Sequence, residues 1–310
     1  MFSRFIFDYP IYMKNALLTL FTIVFVFNYC AAQSVSDPLK ASFVTTDIVN
    51  FWNAFDKMDK DLQTNPFEDF YLKPGSSGLE AFTKGRIEDA VSLLNTVRER
   101  KSDYVKARPN SLNMLDNEKK CRAAFMALKY LYPKAVFPNV YFVIGRFNSG
   151  GHSNPKGLII GAEMIQSVAV PYIVAHELIH YQQDSIPRKS LNLLAACINE
   201  GSADFIAELI SGGGPNKQTH SYGNANEAKL WIEFKAIMED REDSHDWMYN
   251  YKPKNGYPPD LGYWIGYKIT AAFYEKATDK KKAIAAILHI KDFNKFLEDS
   301  GYSSKSGKEH

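Results

Sequence analysis

The decapeptide VAHELIHYQQ, residues 174–183, places His176 and His180 four positions apart, with Glu177 directly after the first histidine. Residues four apart on an α-helix share a face, so both imidazoles can be directed at one point. Neutral imidazole is a common zinc ligand, and a neighbouring carboxylate can take a proton from a metal-activated water. The spacing therefore indicates a hydrolytic metal centre, although a buried helix with a chance histidine pair has the same letters.

A third ligand is available twenty residues later, in CINEGSADFIAELI, residues 197–210. Catalytic zinc takes three protein ligands and keeps a fourth position open, and Glu200 can complete the set. Asp204 follows one turn further along the same helical face and can accept the remaining N–H of a ligating histidine. The alternative is that both carboxylates are solvated on an exposed helix face.

Two helices joined by a short turn would bring these residues together. Residues 171–183 are predicted to form a buried helix, with Pro171 tolerated in its first turn. After the turn DSIPRKS, a second helix over 191–210, with Ser190 as its N-cap, runs back along the first and returns Glu200 to the histidines. The residues expected to point inward from this second helix are Leu191, Leu194, Ile198, Phe205 and Leu209.

The combination of HELIH with NEGSAD resembles the gluzincin pattern of thermolysin-like metallopeptidases. A wider stretch over roughly residues 115–290, including VYFVIGRFNSGG, GLIIGAEM and LGYWIGYK, resembles a bacterial family of zinc-dependent proteases with a gliding-motility lipoprotein as a distant relative. The resemblance implies one Zn²⁺ per chain. It implies that His176, His180 and Glu200 are ligands, that Glu177 is the general base, and that Asp204 supports a ligand histidine.

The same resemblance implies a donor that stabilises the oxyanion, taken from the region after the zinc glutamate. Tyr263 and Tyr267 lie one helical turn apart in this region, and Tyr263 is preferred because it is nearer a loop that could border a cleft. His220 and His245 are the next candidates. The alternative for each tyrosine is an aromatic ring packed between helices.

The segment GLIIGAEM, residues 157–164, is expected to be a strand. The resemblance implies that it borders the cleft and binds substrate as an added β-strand, whereas the alternative is an inner core strand. Gly150 and Gly151, in the preceding loop, would allow a substrate or a lid to approach closely.

The chain as a whole is predicted to be α+β and mostly helical, with a small β-sheet beside the zinc-binding helix pair. Helical periodicity dominates residues 34–134, the expected metallopeptidase domain covers 135–300, and a polar tail covers 301–310. Residues 139–145 form the other predicted strand.

Residues 1–33 are interpreted as an export signal, with Lys14 preceding an apolar run that ends at Phe27 and with small residues before Gln33. The run is shorter than the roughly 20 apolar residues of a membrane span. The protein is therefore expected in the periplasm or outside the cell. Acylation of Cys30 would make it a membrane-anchored lipoprotein, but Asn28 and Tyr29 are not the small residues that such processing prefers.

The composition narrows the possible partners. With 37 Lys and Arg against 35 Asp and Glu, the net charge is only +2, which gives no indication of a nucleic-acid surface. The expected partner is a peptide or protein substrate, with membrane contact only through a lipidated Cys30. Cys121 and Cys197 each lie in an apolar helical pattern and are interpreted as two separate core cysteines.

These observations favour an exported zinc peptidase that hydrolyses peptide bonds. One alternative is a catalytically silent envelope or motility-associated interaction protein with the same fold. The presence of Glu177 argues against that alternative, since a structural zinc needs no base. Another is a secreted protein that binds no metal.

Overall fold

The computed structural model describes residues 34–60, 63–187, 190–241, 245–250 and 256–303. The predicted export signal with Cys30, and most of the predicted polar tail, lie outside these residues. The described residues belong to one unit, Ala32–His310, so the boundary expected near residue 134 stays a prediction. None of the described helices combines the length and the apolar character that a membrane span requires.

The predicted fold class, α+β and mostly helical, is confirmed. Short π or 3₁₀ segments at Glu68–Leu72, Thr83–Ile87, Met114–Asn117 and Ser167–Ala169 connect longer helices. The longer helices are α1 (Thr46–Phe55), α2 (Ser77–Phe82), α3 (Ala90–Glu99), α4 (Lys101–Ser111), α5 (Glu118–Leu131), α6 (Val170–Gln182), α7 (Leu193–Ser211), α8 (Lys217–Ala225), α9 (Glu227–Ile237), α10 (Leu261–Lys276), α11 (Lys280–Leu288) and α12 (Phe293–Ser300).

The sheet has four described strands in the order β1 (Phe43–Val44), β2 (Val140–Val143), β4 (Gly157–Gly161), β3 (Gly151–Asn154). The first three are parallel, and β3 is antiparallel to β4. Every residue of β2 and β4 is buried, as expected for strands covered on both faces.

The prediction that residues 157–164 receive substrate as an added strand is wrong. Strand β4 is hydrogen-bonded on both sides, to β2 and to β3, so no edge is open there. The edge strand next to β4 is β3, which lies in the Gly- and Ser-rich segment predicted to be a loop. Its polar, half-buried residues give little β signal, and a two-residue turn returns the chain into β4.

The two helices expected to carry the metal ligands form close to their predicted limits. The α7 N-cap is Asn192, whose side chain accepts a hydrogen bond from the Ala195 N–H at 2.9 Å, so the assignment of Ser190 was wrong. Leu194 and Ile198 are buried as predicted, but Leu209 is 43% exposed. The predicted inward stripe therefore fails at the last turn, where α7 approaches solvent.

Helix α7 also packs directly against α10, through glycines on both helices. A Cβ at Gly201 would overlap the Tyr267 backbone, and a Cβ at Gly266 would overlap the Cys197 carbonyl. Glycine at both positions lets the two backbones touch, which fixes the start of α10 above the middle of α7. Cys197 and Cys121 are both buried and are not joined to each other by a disulfide, in agreement with the interpretation of separate core cysteines.

The N-terminal helices are attached to the sheet by two buried tyrosines. The Tyr71 hydroxyl donates to the Ile144 carbonyl at 2.6 Å, and the Tyr104 hydroxyl donates to the Gly145 carbonyl at 2.7 Å. Both tyrosines pack against Phe51 in an aromatic cluster. These bonds satisfy backbone carbonyls just after β2 and hold the start of the segment that leads to β3.

Glu163 is a buried carboxyl just after β4. Its Oε1 accepts a hydrogen bond from the Phe147 N–H at 3.2 Å, while its buried Oε2 has no hydrogen-bond partner among the described residues. Burial raises the pKa of Glu163 to about 7, and backbone hydrogen bonds only partly oppose this shift. Below about pH 7 the folded chain therefore favours a protonated Glu163.

We expect this carboxyl to make folding stability depend on pH. The pKa of Glu163 is raised from 4.5 to about 7 on folding, so between these values the folded chain holds a proton that the unfolded chain has released. The free energy of unfolding should fall as the pH rises through that window, by up to about 1.4 kcal/mol per pH unit. Glu163→Gln should reduce this dependence in thermal melts at pH 5 and 8. Exposed Glu99→Gln is the control, and an equal change in both variants would contradict the assignment.

Candidate metal centre

Helices α6 and α7 bring three ligand atoms to one point. The Nε2 atoms of His176 and His180 lie 3.0 Å apart, and the Oε2 atom of Glu200 lies 3.5 Å and 3.0 Å from them, respectively. Tetrahedral zinc with bonds of about 2.0 Å requires ligand atoms about 3.3 Å apart. These three residues form the group within the described chain that could hold a metal ion, and both their spacing and their chemistry suit zinc.

Each histidine is held by a hydrogen bond at its other ring nitrogen. His176 Nδ1 lies 2.8 Å from Asp204 Oδ1, and His180 Nδ1 lies 2.7 Å from Gln183 Oε1. Since both partners accept, each ring donates through Nδ1 and leaves its Nε2 lone pair available for a metal. Asp204 was expected from the sequence in this position; Gln183 was not.

Further bonds fix the two accepting side chains. The Tyr172 hydroxyl donates to Asp204 at 2.6 Å. The Gln183 amide donates to the Asn199 carbonyl at 3.0 Å and to the Ser202 hydroxyl at 2.9 Å, on the helix that also carries Glu200. The helix pair is therefore cross-linked by polar contacts on both sides of the ligand group.

Burial and mutual charge shift the pKa values of the ligands in opposite directions. Burial lowers the pKa of both histidines, but nearby carboxylates outweigh it, so both pKa values are raised. The carboxylates are mainly Asp204 and Glu200 for His176, and mainly Glu200 for His180. Burial raises the pKa of Glu200, but the histidines outweigh it and hold that pKa well below its usual range. The site thus favours an ionised Glu200 carboxylate beside imidazoles that bind a proton more tightly than free imidazole does.

Glu177 lies beside the ligand group, against the edge strand. It is 8% exposed, and a Cβ at Gly151 of β3 would overlap its carboxylate. Gly151 therefore makes room for Glu177, in addition to any role in substrate approach. Burial raises the pKa of Glu177, which makes the carboxylate a stronger base than an exposed one.

The ligand group opens into a cavity of about 710 Å³. Residues 149–153 line one side, His176, Glu177, His180 and Glu200 line its floor, and Tyr263 lines another part. Further lining comes from residues distant in sequence, notably Arg86, His220 and Tyr249. The cavity is large enough for several residues of an extended peptide.

The residues considered as oxyanion donors are in different places. The Tyr263 ring lies parallel to the His176 ring at 6.4 Å and lines the cavity. Tyr267 does not line it; its hydroxyl donates to Glu208 at 2.7 Å. His220 lines the cavity with a buried Nε2 that has no hydrogen-bond partner among the described residues, whereas His245 is bonded to Asp240 outside it.

Tyr249 is a cavity residue that the sequence reasoning missed. Its hydroxyl donates to Glu200 Oε1 at 3.1 Å, on the carboxylate oxygen that does not face the histidines. The tyrosine lies in a polar aromatic stretch without helical or strand periodicity, so no local pattern singles it out.

Comparison with known protein families gives a match over the region that contains the ligand group. Residues 146–294, slightly less than half of the chain, match a family described as "Predicted Zn-dependent protease (DUF2268)". The matched region contains His176, His180 and Glu200 and therefore supports a zinc-dependent protease family for this part of the chain. No curated protein and no solved structure matches the chain. The gluzincin subclass and the gliding-motility relationship remain predictions.

The geometry predicts that substitutions at different positions reduce zinc affinity to different extents. The purified wild type should contain about one zinc per chain, and His176→Ala or Glu200→Ala should abolish tight binding because each removes a ligand. Asp204→Asn should weaken affinity by about 10- to 100-fold, since it disturbs only a supporting bond. Glu177→Gln should retain zinc. Elemental analysis with a chelator titration would measure the series, and equal losses in all four variants would contradict these assignments.

Proposed function

We propose that the protein is a zinc-dependent peptidase. The observation that carries the proposal is the convergence of His176, His180 and Glu200 on one point, with Glu177 beside them, on the floor of an open cavity. A structural zinc site would be closed by four protein ligands, whereas this group supplies three and borders the cavity. The family match to residues 146–294 supports the same reading.

The three ligand residues would hold zinc through the two Nε2 atoms and a Glu200 oxygen. Zinc bound there would supply a Lewis acid that lowers the pKa of water and polarises the scissile carbonyl. Asp204 and Gln183 would keep the imidazoles oriented by accepting from their Nδ1–H groups. Tyr249 would restrain Glu200 through its second carboxylate oxygen.

Glu177 would act as the proton carrier. Its carboxylate is buried beside the ligand group. Burial raises its pKa towards neutral pH, which suits a group that must both accept and donate a proton. It would accept a proton from the attacking water and then deliver that proton to the leaving amine. Gly151 keeps the space in which the carboxylate lies.

The edge strand β3 offers a place for the substrate backbone. Its inner side is hydrogen-bonded to β4, while its outer side faces away from the described sheet and residues 151–153 line the cavity. An extended peptide could pair with this edge and place one of its carbonyls near the ligand group. The recognition role once predicted for residues 157–164 is therefore proposed for β3.

Tyr263 remains our proposed oxyanion donor. It lines the cavity next to His176, and burial together with nearby carboxylates raises the pKa of its hydroxyl, which therefore keeps its proton. Tyr267 instead donates to Glu208 outside the cavity.

We also propose that the chain is exported and that its substrate is a peptide or protein. Both proposals rest on the sequence.

The function is tested by a peptide-library cleavage assay on the zinc-loaded wild type and on Glu177→Gln. We expect metal-dependent cleavage by the wild type and a loss of about 10²- to 10⁴-fold in the variant at unchanged zinc content, because only the proton carrier is removed. Glu208→Gln, on α7 but outside the cavity lining, is the matched control. Zinc binding with no cleavage of any peptide would instead favour the catalytically silent interaction protein.

The two tyrosines should respond differently to loss of the hydroxyl. Tyr263→Phe should lower kcat by about 10²- to 10³-fold without changing zinc content, since it would remove a transition-state donor. Tyr267→Phe should stay near normal turnover because its hydroxyl is directed at Glu208. Steady-state kinetics on one cleaved peptide compares them. Normal turnover in both variants would move the role to His220, the other cavity candidate.

A further inference from the structure

Arg86 is a cationic residue at the cavity that differs from four other arginines of the described chain. It is the only Lys or Arg among the described residues that line it. Its side chain is half-buried, and no ion pair or hydrogen bond joins its guanidinium to any described residue. By contrast, Arg100, Arg108, Arg122 and Arg146 each lie within 3.0 Å of an Asp or Glu oxygen. A guanidinium that lines the cavity without an anionic partner keeps its planar fork of donors available for a ligand.

The turn that carries Arg86 is held in place. The Arg86 carbonyl accepts from the Asn148 side chain at 2.8 Å, and the neighbouring Ile87 carbonyl accepts from Arg146 at 3.2 Å. Ile87 itself is fully buried. The backbone that positions the guanidinium is therefore fixed to the segment leading into β3, and binding an anion would require ordering only the side chain.

The charge of Arg86 reaches the proposed reaction site. It contributes to lowering the pKa of His152 on β3, where burial is the larger cause, and it opposes the rise that burial causes in the pKa of Glu177. Apart from tyrosines, the remaining ionisable residues that line the cavity are histidines and the four carboxylic acids Glu177, Glu200, Asp204 and Asp260. Away from the ligand group, where bound zinc would add its own positive charge, Arg86 is therefore the group in the described lining that attracts an anionic ligand group.

We propose that Arg86 binds a carboxylate of the substrate and makes the cavity selective for peptides that present one near the cleaved bond. The inference rests on the peptidase function proposed above. The planar guanidinium can grip a carboxylate through two parallel hydrogen bonds, which gives orientation as well as attraction. A free C-terminus and an Asp or Glu side chain offer the same group, and the experiment separates these two sources.

The test measures binding to the full-length, zinc-loaded Glu177→Gln chain, which removes any effect that Arg86 exerts through the Glu177 carboxylate. The probes are dansyl-labelled random pentapeptide mixtures, and fluorescence anisotropy gives their affinities. One arm compares free with amidated C-termini in mixtures that lack Asp and Glu. The other arm compares Asp and Glu with Asn and Gln in amidated mixtures.

We expect one arm to favour the carboxylate by about 10-fold or more. Adding Arg86→Gln should reduce that preference to less than about twofold, while Arg86→Lys, which keeps the charge without the planar fork, should keep part of it. Arg98→Gln, an exposed arginine on α3 outside the cavity lining, should keep all of it. The arm that shows the preference identifies the source of the carboxylate.

The inference is overturned if neither arm favours a carboxylate, or if the preference survives Arg86→Gln. These outcomes are separable from failure of the peptidase proposal. Cleavage by the wild type without an Arg86-dependent preference would reject the carboxylate site alone. Arg86-dependent binding without any cleavage by the wild type would reject the peptidase function alone.

Discussion

The double packing of α7 is the constraint on which the rest of the structure depends. One side of this helix lies against α6 and carries Glu200 to the two histidines; another side meets α10 at the Gly201 and Gly266 contact. Most of its residues are buried, and many are small. Small residues let both α6 and α10 approach α7 closely. One helix can therefore set the ligand geometry and also position Tyr263 beside the ligand group.

Electrostatic balance explains why this packing tolerates so many buried charges. Glu200 and Asp204 are compensated by imidazoles and by tyrosine hydroxyls, so their negative charge is distributed over hydrogen bonds. Glu177 has no hydrogen-bond partner of that kind among the described residues, and burial raises its pKa. A buried carboxylate without a hydrogen-bond partner beside a potential metal centre lowers stability, and proton transfer during catalysis is a physical reason to keep it.

The helical N-terminal part of the chain contributes to the same cavity. Tyr71 and Tyr104 bond to the carbonyls that follow β2, and Arg86 reaches the lining from the turn at residues 83–87. The family match begins only at residue 146, so Arg86 lies outside the matched region. Features that distinguish this protein from other chains with the same helix pair can therefore be supplied by its N-terminal helices.

The sequence by itself determined the parts of the site that lie within single helices. His176 and His180 share a face because of the helical period, and the same holds for Glu200 and Asp204. It also determined the fold class, since apolar periodicity is a local property. The turn residues predicted the chain reversal between the helices, although the N-cap of α7 is Asn192 and not the predicted Ser190.

Only the tertiary structure decided what faces the ligand group from elsewhere. Tyr249 bonds to Glu200 from a segment that no spacing rule connects to the histidines. Tyr172 and Gln183 lie within one helical turn of His176 and His180, but their bonds to Asp204, Asn199 and Ser202 depend on how α7 packs against α6. The order of the sheet placed the polar β3 at its edge and the apolar β4 inside, because pairing partners are selected by packing over the whole sheet. Tyr263 and Tyr267 share a face of α10, yet they lie at different positions along α7, so that Tyr263 lines the cavity and Tyr267 donates to Glu208. A local pattern fixes which residues share a helix face, but the direction in which that face points depends on the surfaces that it must bury.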